Sequence, residues 1–308
     1  MLRKTAIFRV QSEIIGRASE FLRKSGFFEI LPPITARNTD PGLRGAHVAR
    51  VDLYGTPHCV TSSINLQKFE AIKHLGRIFA ISQVVRLEDP DKRTTGRHLS
   101  EFSIVEVEAA HLGYRGIMGI GEDLICYIIN SVSYNCSKEL RNLDRSLKTA
   151  RKPFKRIPHA EVVRILKAMG LKAEDGEEIP FESEVEFSRM QDSPVWIIDY
   201  PNGSRGFYDR LNPNDPAHLM DFDLILPGGY GEVMSGGERE FTREGITRQM
   251  QRTGLNPAEY EEFLRLYDNG AMLPSSGFGI GVERLTRYIC GLEHISEASM
   301  FPKLPGGE

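Results

Sequence analysis

The order of strand-like and helix-like runs limits the fold of this chain more than any other feature. Short apolar runs of mixed spacing stand in groups, with helical patterns after them rather than between them one for one. That order argues against regular βαβ winding. It predicts an α+β fold, a largely antiparallel sheet flanked by helices. The clearest helix is Phe8–Lys24, where Ile14, Ile15, Ala18, Phe21 and Leu22 recur at helical spacing and Gly26 follows at the C-cap position. FFEILPPI then reads as a short strand stopped by Pro32 and Pro33, and residues 36–47 read as a mobile loop. Cys59–Ser63 and Arg77–Val85 read as strands around a helix containing Gln67–His74. Ser103–Ala110 alternates apolar and acidic residues, which puts Glu106 and Glu108 on one strand face. Helices are predicted over Met118–Tyr134 and Ala160–Met169, with an acidic, weakly patterned excursion at residues 171–190. VWIIDY, GFYDRL and FDLIL read as strands, and Arg243–Arg252 and Pro257–Tyr267 as helices. A GFGIGV strand then runs into an ERLTRYIC helix.

Nothing in the 308 residues marks an internal boundary, repeat or low-complexity tract, so one domain over 1–308 is expected. Lys and Arg number 39 against 42 Asp and Glu, a net charge of −3 that leaves no global electrostatic footprint for nucleic acid. No apolar stretch approaches the roughly 18–20 residues of a membrane span. The start, MLRKTAIFRVQSEII, has no secretory pattern, because Arg9, Gln11, Ser12 and Glu13 interrupt it. A cytoplasmic protein with no membrane partner is expected. Of the four cysteines, none forms CxxC, and Cys126 and Cys290 fall in apolar helical stretches where a buried thiol is expected.

Three arginine-bearing segments carry the chemistry. In VVRLEDPDKRTTGRHLSEFSIVEVEAA, strand-like runs flank a polar loop entered by Arg86 and Glu88 and left by Arg97, His98 and Phe102. Guanidinium groups make bidentate contacts with phosphate oxygens, so this segment suits a polyphosphate, and Phe102 offers a flat face for a purine. In SSGFGIGVERLTRYICGL, the alternating glycines let a ligand approach the backbone, and Arg284 opens the helix behind. In FDLILPGGYGEVMSGGER, Asp223 and Glu232 are oxygen donors of the type that hold Mg²⁺, and Arg239 follows the small-residue bend Ser235–Gly237. Taken singly, each segment also reads as solvated charged surface.

Together the three resemble the motifs of class II aminoacyl-tRNA synthetases, aspartyl/asparaginyl branch, from about Phe8 to Pro305. FRVQSEIIGRASEFLRKSGFFEILPPI resembles that family's first motif, a dimer-interface helix and strand. VVRLE with RHLSEF resembles the second, and GFGIGVERL the third. The resemblance implies a class II synthetase fold, a homodimer, and catalytic roles for Arg86 and Arg284. It places ATP against Arg86, Glu88, Arg97, His98, Phe102, Glu232, Gly281 and Arg284, with Mg²⁺ on Asp223, Glu232 and Ser235. For the amino acid it implies Ser63, Asn65, Lys68, Arg86 and Arg239. On this likeness Lys68 and Arg239 are two cations that suit the side-chain carboxylate of L-aspartate, whereas Glu106 and Glu108 resemble the asparaginyl side of the branch.

Two departures concern that pocket. The loop NTDPGLRGAH lacks the family's acid followed by Gly-Gly or Gly-Ala, with Asp40 the nearest acid, and Ser275 stands where the family has histidine. With the first motif beginning within the first ten residues, no anticodon-binding domain is expected, as in the archaeal asparagine synthetases related to asparaginyl-tRNA synthetase. The leading expectation is therefore an aspartate–ammonia ligase. ATP and aspartate form an aspartyl-adenylate and pyrophosphate, and free ammonia then gives asparagine and AMP. The alternative is a stand-alone ligase that acylates tRNA or another acceptor. A third expectation is a non-catalytic relative that binds amino acid or nucleotide.

Overall fold

The computed structural model describes residues 2–41, 46–270 and 272–307. In chain order its elements are α1 (Leu2–Lys24), β1 (Phe28–Glu29), β2 (Thr35–Ala36), β3 (Arg50–Leu53), β4 (Thr56–Val60), α2 (Asn65–Leu75) and β5 (Arg77–Val85). Next come β6 (Glu101–Ala110), α3 (Tyr114–Asn135), α4 (Ser137–Asn142), β7 (Lys155–Pro158), α5 (His159–Ala168) and α6 (Phe181–Arg189). The last part holds β8 (Val195–Ile198), β9 (Leu211–Asn212), β10 (Asp215–Leu219), β11 (Asp221–Leu226), β12 (Gly231–Glu238), α7 (Arg243–Arg252), α8 (Glu261–Leu264), β13 (Ser275–Gly281) and α9 (Val282–Cys290).

An eight-stranded sheet in the order β1-β5-β6-β13-β12-β11-β8-β7 organises the molecule. Its two outermost pairs are parallel and every inner pair is antiparallel. Alternation along β6 divides its two faces. Val105, Val107 and Ala109 join Phe278, Trp196 and Phe222 in the main apolar cluster, covered by α1, α3 and α9. Glu106 and Glu108 point to the opposite face, where α2 packs. Both glutamates are buried, and both lie opposite a glycine of β13: Glu106 faces Gly279, and Glu108 faces Gly277. Directly opposed residues share a sheet face, so the glycines leave volume above the ladder. At Gly277 that volume is taken by the Glu108 carboxylate, which a Cβ would overlap.

Several boundaries differ from the sequence reading, each for a local reason. α1 begins six residues before Phe8, at Leu2, because Ala6 and Ile7 continue the buried stripe of Val10, Ile14, Ala18 and Leu22. GFYDRL is not a strand. Phe207 and Tyr208 are buried rings in a second apolar cluster with Phe69, Met250 and Phe263, and Asp209 makes only an isolated bridge to Arg239. Pro257–Tyr267 divides into 3-10 turns around the short α8. Residues 171–190 contain a packed helix, α6, whose buried face is Ser183, Glu184, Phe187 and Ser188. Its burial is largely polar, which hides the helix from an apolar-periodicity reading. Of the expected loop at 36–47, Thr35–Ala36 starts as strand β2, and residues 42–45 lie outside the described residues. All four cysteines are free, and burial pushes the Cys290 thiol up to about 12. Among the described residues no helix is long and apolar enough to cross a membrane.

Candidate active site

The sheet face that carries Glu106 floors a cavity of about 360 Å³. At its outer end, Arg86 leaves β5 with its backbone N–H donating to Ser100 O (2.8 Å) and its Nε donating to Ser62 O (3.0 Å). Its guanidinium lies 5.2 Å from the centre of the Phe102 ring. Glu88, Lys92, His98, Phe102 and Gly281 line the same end. Three charged side chains cross it in sequence: Arg97 Nη2 is 3.5 Å from Glu232 Oε2, and Arg284 Nη1 is 3.0 Å from Glu232 Oε1. His98 Nδ1 is 2.7 Å from Thr95 Oγ1. Burial and the cations Arg284, Arg97 and Lys92 push its pKa down to about 2, so the imidazole is neutral at working pH. The sequence-derived ATP residues Arg86, Glu88, Arg97, His98, Phe102, Glu232, Gly281 and Arg284 therefore all meet on one cavity.

The inner end holds Ser63, Asn65, Glu106, Arg239, Tyr208, Asp209 and Asp40. Arg239 Nη1 reaches Asp209 Oδ1 at 2.6 Å, and its Nε reaches Glu108 Oε1 at 3.2 Å. Burial opposes this charge, but Glu108 and Asp209 more than offset it and hold the guanidinium pKa above its ordinary value. Burial likewise raises the Asp209 carboxyl, against the pull of Arg239 and Arg205. Ser275 donates to Glu108 Oε1 at 3.1 Å. Asp40, expected to be displaced, is buried on the cavity wall. Its Oδ2 accepts from Tyr208 Oη at 2.7 Å, while its Oδ1 has no hydrogen-bond partner among the described residues.

Two expected site residues are placed elsewhere. Lys68 is 1% exposed and does not line the cavity. Its Nζ sits 3.2 Å from Glu106 Oε2 and 3.3 Å from Glu108 Oε2, behind them and not in front. The sequence argument from two cations facing a substrate carboxylate therefore loses its ground, since Lys68 and Arg239 are shared among Glu106, Glu108 and Asp209. Asp223, expected to hold a metal, is buried off the cavity. It accepts from Arg205 Nη2 (2.6 Å), Arg205 Nη1 (3.2 Å) and Tyr200 Oη (2.9 Å). Among the described residues, no group of three or more His, Cys, Asp or Glu suited to a metal ion forms.

Sequence reasoning missed Arg205 and the segment 178–184. Arg205 lines the cavity beneath Glu178, with Nε 2.9 Å from Glu178 Oε1 and 3.5 Å from Asp221 Oδ2. A signal was available: Asp221 and Asp223 stand two apart on an otherwise apolar strand. That spacing buries both acids on one face and demands a cation. Ile179, Pro180 and Phe181 add an apolar wall to the cavity.

Residues 2–305 match the family of class II tRNA synthetases (D, K and N). The chain is 33% identical to the asparagine–tRNA ligase of Pyrococcus abyssi over 304 residues, covering 98% of this chain and 69% of that one. Its fold is similar to that of asparaginyl-tRNA synthetase from Pyrococcus horikoshii complexed with asparaginyl-adenylate (TM-score 0.93, 31% identity, 99% of this chain and 70% of that one). The asparaginyl-tRNA synthetase of Entamoeba histolytica, also with asparaginyl-adenylate, is similar at a TM-score of 0.89 and 25% identity, over 99% and 69% of the two chains. A predominantly antiparallel sheet with this cavity on its open face defines the class II synthetase catalytic fold. The chain belongs to the class II tRNA synthetase family of the D, K and N type.

Proposed function

We propose that this protein is an AMP-forming ligase that activates asparagine as its adenylate and passes the acyl group to an acceptor, tRNA being the acceptor in the names of its relatives. The observation that carries this reading is where cationic charge is left open. Among the described residues Arg86 makes no ion pair; its contacts are the Ser62 carbonyl and the Phe102 ring. An anionic α-carboxylate and α-phosphate are attracted there. At the inner end two cations already serve three carboxylates: Lys68 and Arg239 against Glu106, Glu108 and Asp209. A neutral amide fits that end. A fourth carboxylate, from aspartate, would be left poorly paired at a cost of about 2 kcal/mol or more. This reverses the aspartate preference expected from residue types, and with it the basis for the aspartate–ammonia ligase.

The geometry supports a simple chemistry. Phe102 and Arg284 hold the adenine, Arg97, His98 and Arg284 the outer phosphates, and Asp40 Oδ1 accepts from the substrate ammonium. A carboxylate oxygen attacks the α-phosphorus while the bond to the β-phosphate oxygen breaks, and its electron pair leaves with pyrophosphate. Arg86 neutralises charge that develops between the two. The acceptor then attacks the acyl carbon, loses its proton, and AMP departs. Glu232 and Ser235, which both line the cavity, suit a Mg²⁺ carried mainly by the nucleotide's phosphates, which would add charge neutralisation. A second copy of the chain is expected over Phe28, Leu31 and Ile34, which are exposed beside α1. Four free thiols accord with a reducing, cytoplasmic setting.

The test is pyrophosphate exchange into ATP with Mg²⁺ and each amino acid in turn. Exchange with asparagine is expected to exceed that with aspartate by about 30-fold or more, the equivalent of 2 kcal/mol. Faster exchange with aspartate, or asparagine formation from aspartate and ammonium, refutes the proposal.

A further inference from the structure

Residues 178–184 look peripheral in the sequence, yet their contacts converge on the nucleotide end of the cavity. Glu184 is 6% exposed, and its Oε1 accepts from Arg97 Nη1 at 2.6 Å and from the backbone N–H of Glu232 at 2.9 Å. Gly231 makes this approach possible: a Cβ there would lie 2.5 Å from Glu184 Oε1 and 3.1 Å from Arg97 Nη1. One helical turn on, on the same face of α6, Ser188 Oγ donates to Leu226 O (2.6 Å) and accepts from Gly229 N (3.0 Å) and Gly231 N (3.2 Å). The helix is thus stitched to the β11–β12 turn. Phe181 also contacts this guanidinium, its ring centre 5.1 Å from Arg97 Cζ.

We propose that Glu184 is a positioning residue for the nucleotide site: it fixes the Arg97 guanidinium relative to Glu232, with residues 178–184 as a fixed wall and not a lid. Glu184 holds one Nη of Arg97 and Glu232 lies 3.5 Å from the other, so the guanidinium is aimed before a phosphate arrives. Pinning a long, rotamer-rich side chain before the ligand arrives removes an ordering cost from nucleotide binding. The inference rests on the proposed use of Arg97 toward ATP phosphates.

The test compares KM for ATP and for asparagine in pyrophosphate exchange, with ATP affinity measured separately by calorimetry on the whole protein. Glu184→Ala is expected to raise the ATP KM about tenfold and to change the asparagine KM less than twofold. Glu184→Gln keeps an oxygen at the same reach and is expected within threefold of the parent. Glu184→Asp keeps the charge but falls a methylene short, and is expected to behave like the alanine variant. Arg97→Ala combined with Glu184→Ala should bind ATP no more weakly than Arg97→Ala alone, because Glu184 acts through Arg97. An unchanged or lowered ATP KM in Glu184→Ala, rescue by Asp but not Gln, or additive losses in the double variant overturns the inference. Absence of ATP binding by the parent protein overturns both this inference and the functional reading. Binding by the parent with normal Glu184 variants overturns this one alone.

Discussion

Lys68 offers the sharpest test of how the inner pocket is built. If it faced a substrate carboxylate, replacing it with methionine would weaken amino-acid binding and leave the folded state largely intact. The structure argues otherwise. Lys68, Glu106 and Glu108 are together almost wholly excluded from water, with Nζ 3.2 and 3.3 Å from the two carboxylates. Removing the ammonium leaves Glu108 with Arg239, which is already shared with Asp209, and leaves Glu106 with the neutral donors Ile64 N–H, Ser63 Oγ and Ser82 Oγ. Breaking one buried ion pair costs about 3–5 kcal/mol. In a chain of this size each kcal/mol moves the melting temperature by about 2 °C, so Lys68→Met should melt about 6–10 °C below the parent at pH 7. Circular dichroism at 222 nm during heating measures this directly. Because the loss comes from uncompensated carboxylates, Glu106→Gln in the same chain should restore about half of it, although Glu106→Gln alone destabilises. A Lys68→Met protein that melts within 2 °C of the parent, with its asparagine KM raised, refutes the placement of Lys68 behind the glutamates.

The other predictions concern separate parts of the molecule. Burial, with help from Arg205, lowers the His159 imidazole from 6.5 to about 4. The unfolded chain thus binds a proton near pH 6.5 that the native chain refuses until about pH 4, and stability falls with pH across that window. The parent should lose about 3 kcal/mol more than His159→Phe between pH 6.5 and 4, read from urea midpoints, and parallel profiles would remove His159 as the cause. Gly277→Ala should fail to accumulate as soluble protein, because the added Cβ overlaps the Glu108 carboxylate and the Val107 carbonyl; a stable variant with normal melting contradicts the close approach. Arg284→Ala should lower pyrophosphate exchange at least about 100-fold, as loss of a preorganised charge contact at a developing anion does, and near-parent exchange would take Arg284 out of the site. The parent is expected to run as the proposed dimer in light scattering after gel filtration, and Leu31→Asp, at a side chain 96% exposed, as a monomer; a monomeric parent, or a mass the variant leaves unchanged, removes this surface as the interface.

Elements whose signal is local were legible in the sequence. β5 spans Arg77–Val85 as its apolar run predicts, and α7 starts where Thr242 caps Gly245 N and ends at Arg252. The architecture followed from strand order, and the three arginine-bearing segments read together as one site do line one cavity. What stayed hidden was every feature that depends on a distant partner. α6 buries serine and glutamate, and the reason lies in Arg97, 87 residues before Glu184, and in the end of β11 and the start of β12, 38 to 48 residues further on. Arg205 was not singled out because its three acids, Glu178, Asp221 and Asp223, come from an unpatterned segment and from the start of β11.

The same blindness explains why residue types alone pointed to the wrong side chain. Lys68 and Arg239 are cations, and two cations imply an anionic ligand only while they are unshared. Their partners come from β6 and from the Asp209 bridge, brought in by folding at separations the sequence gives no means to pair. Counting those partners removes the unshared charge that a carboxylate ligand would need, which is the basis of the proposed preference for asparagine. Recognition of aspartate or asparagine in such a pocket is therefore a difference between shared and unshared charge, not a property of any single lysine or arginine. Arg86 marks the opposite case: among the described residues its side chain meets a carbonyl and a ring and no carboxylate, which suits the carboxylate and phosphate of the proposed reaction.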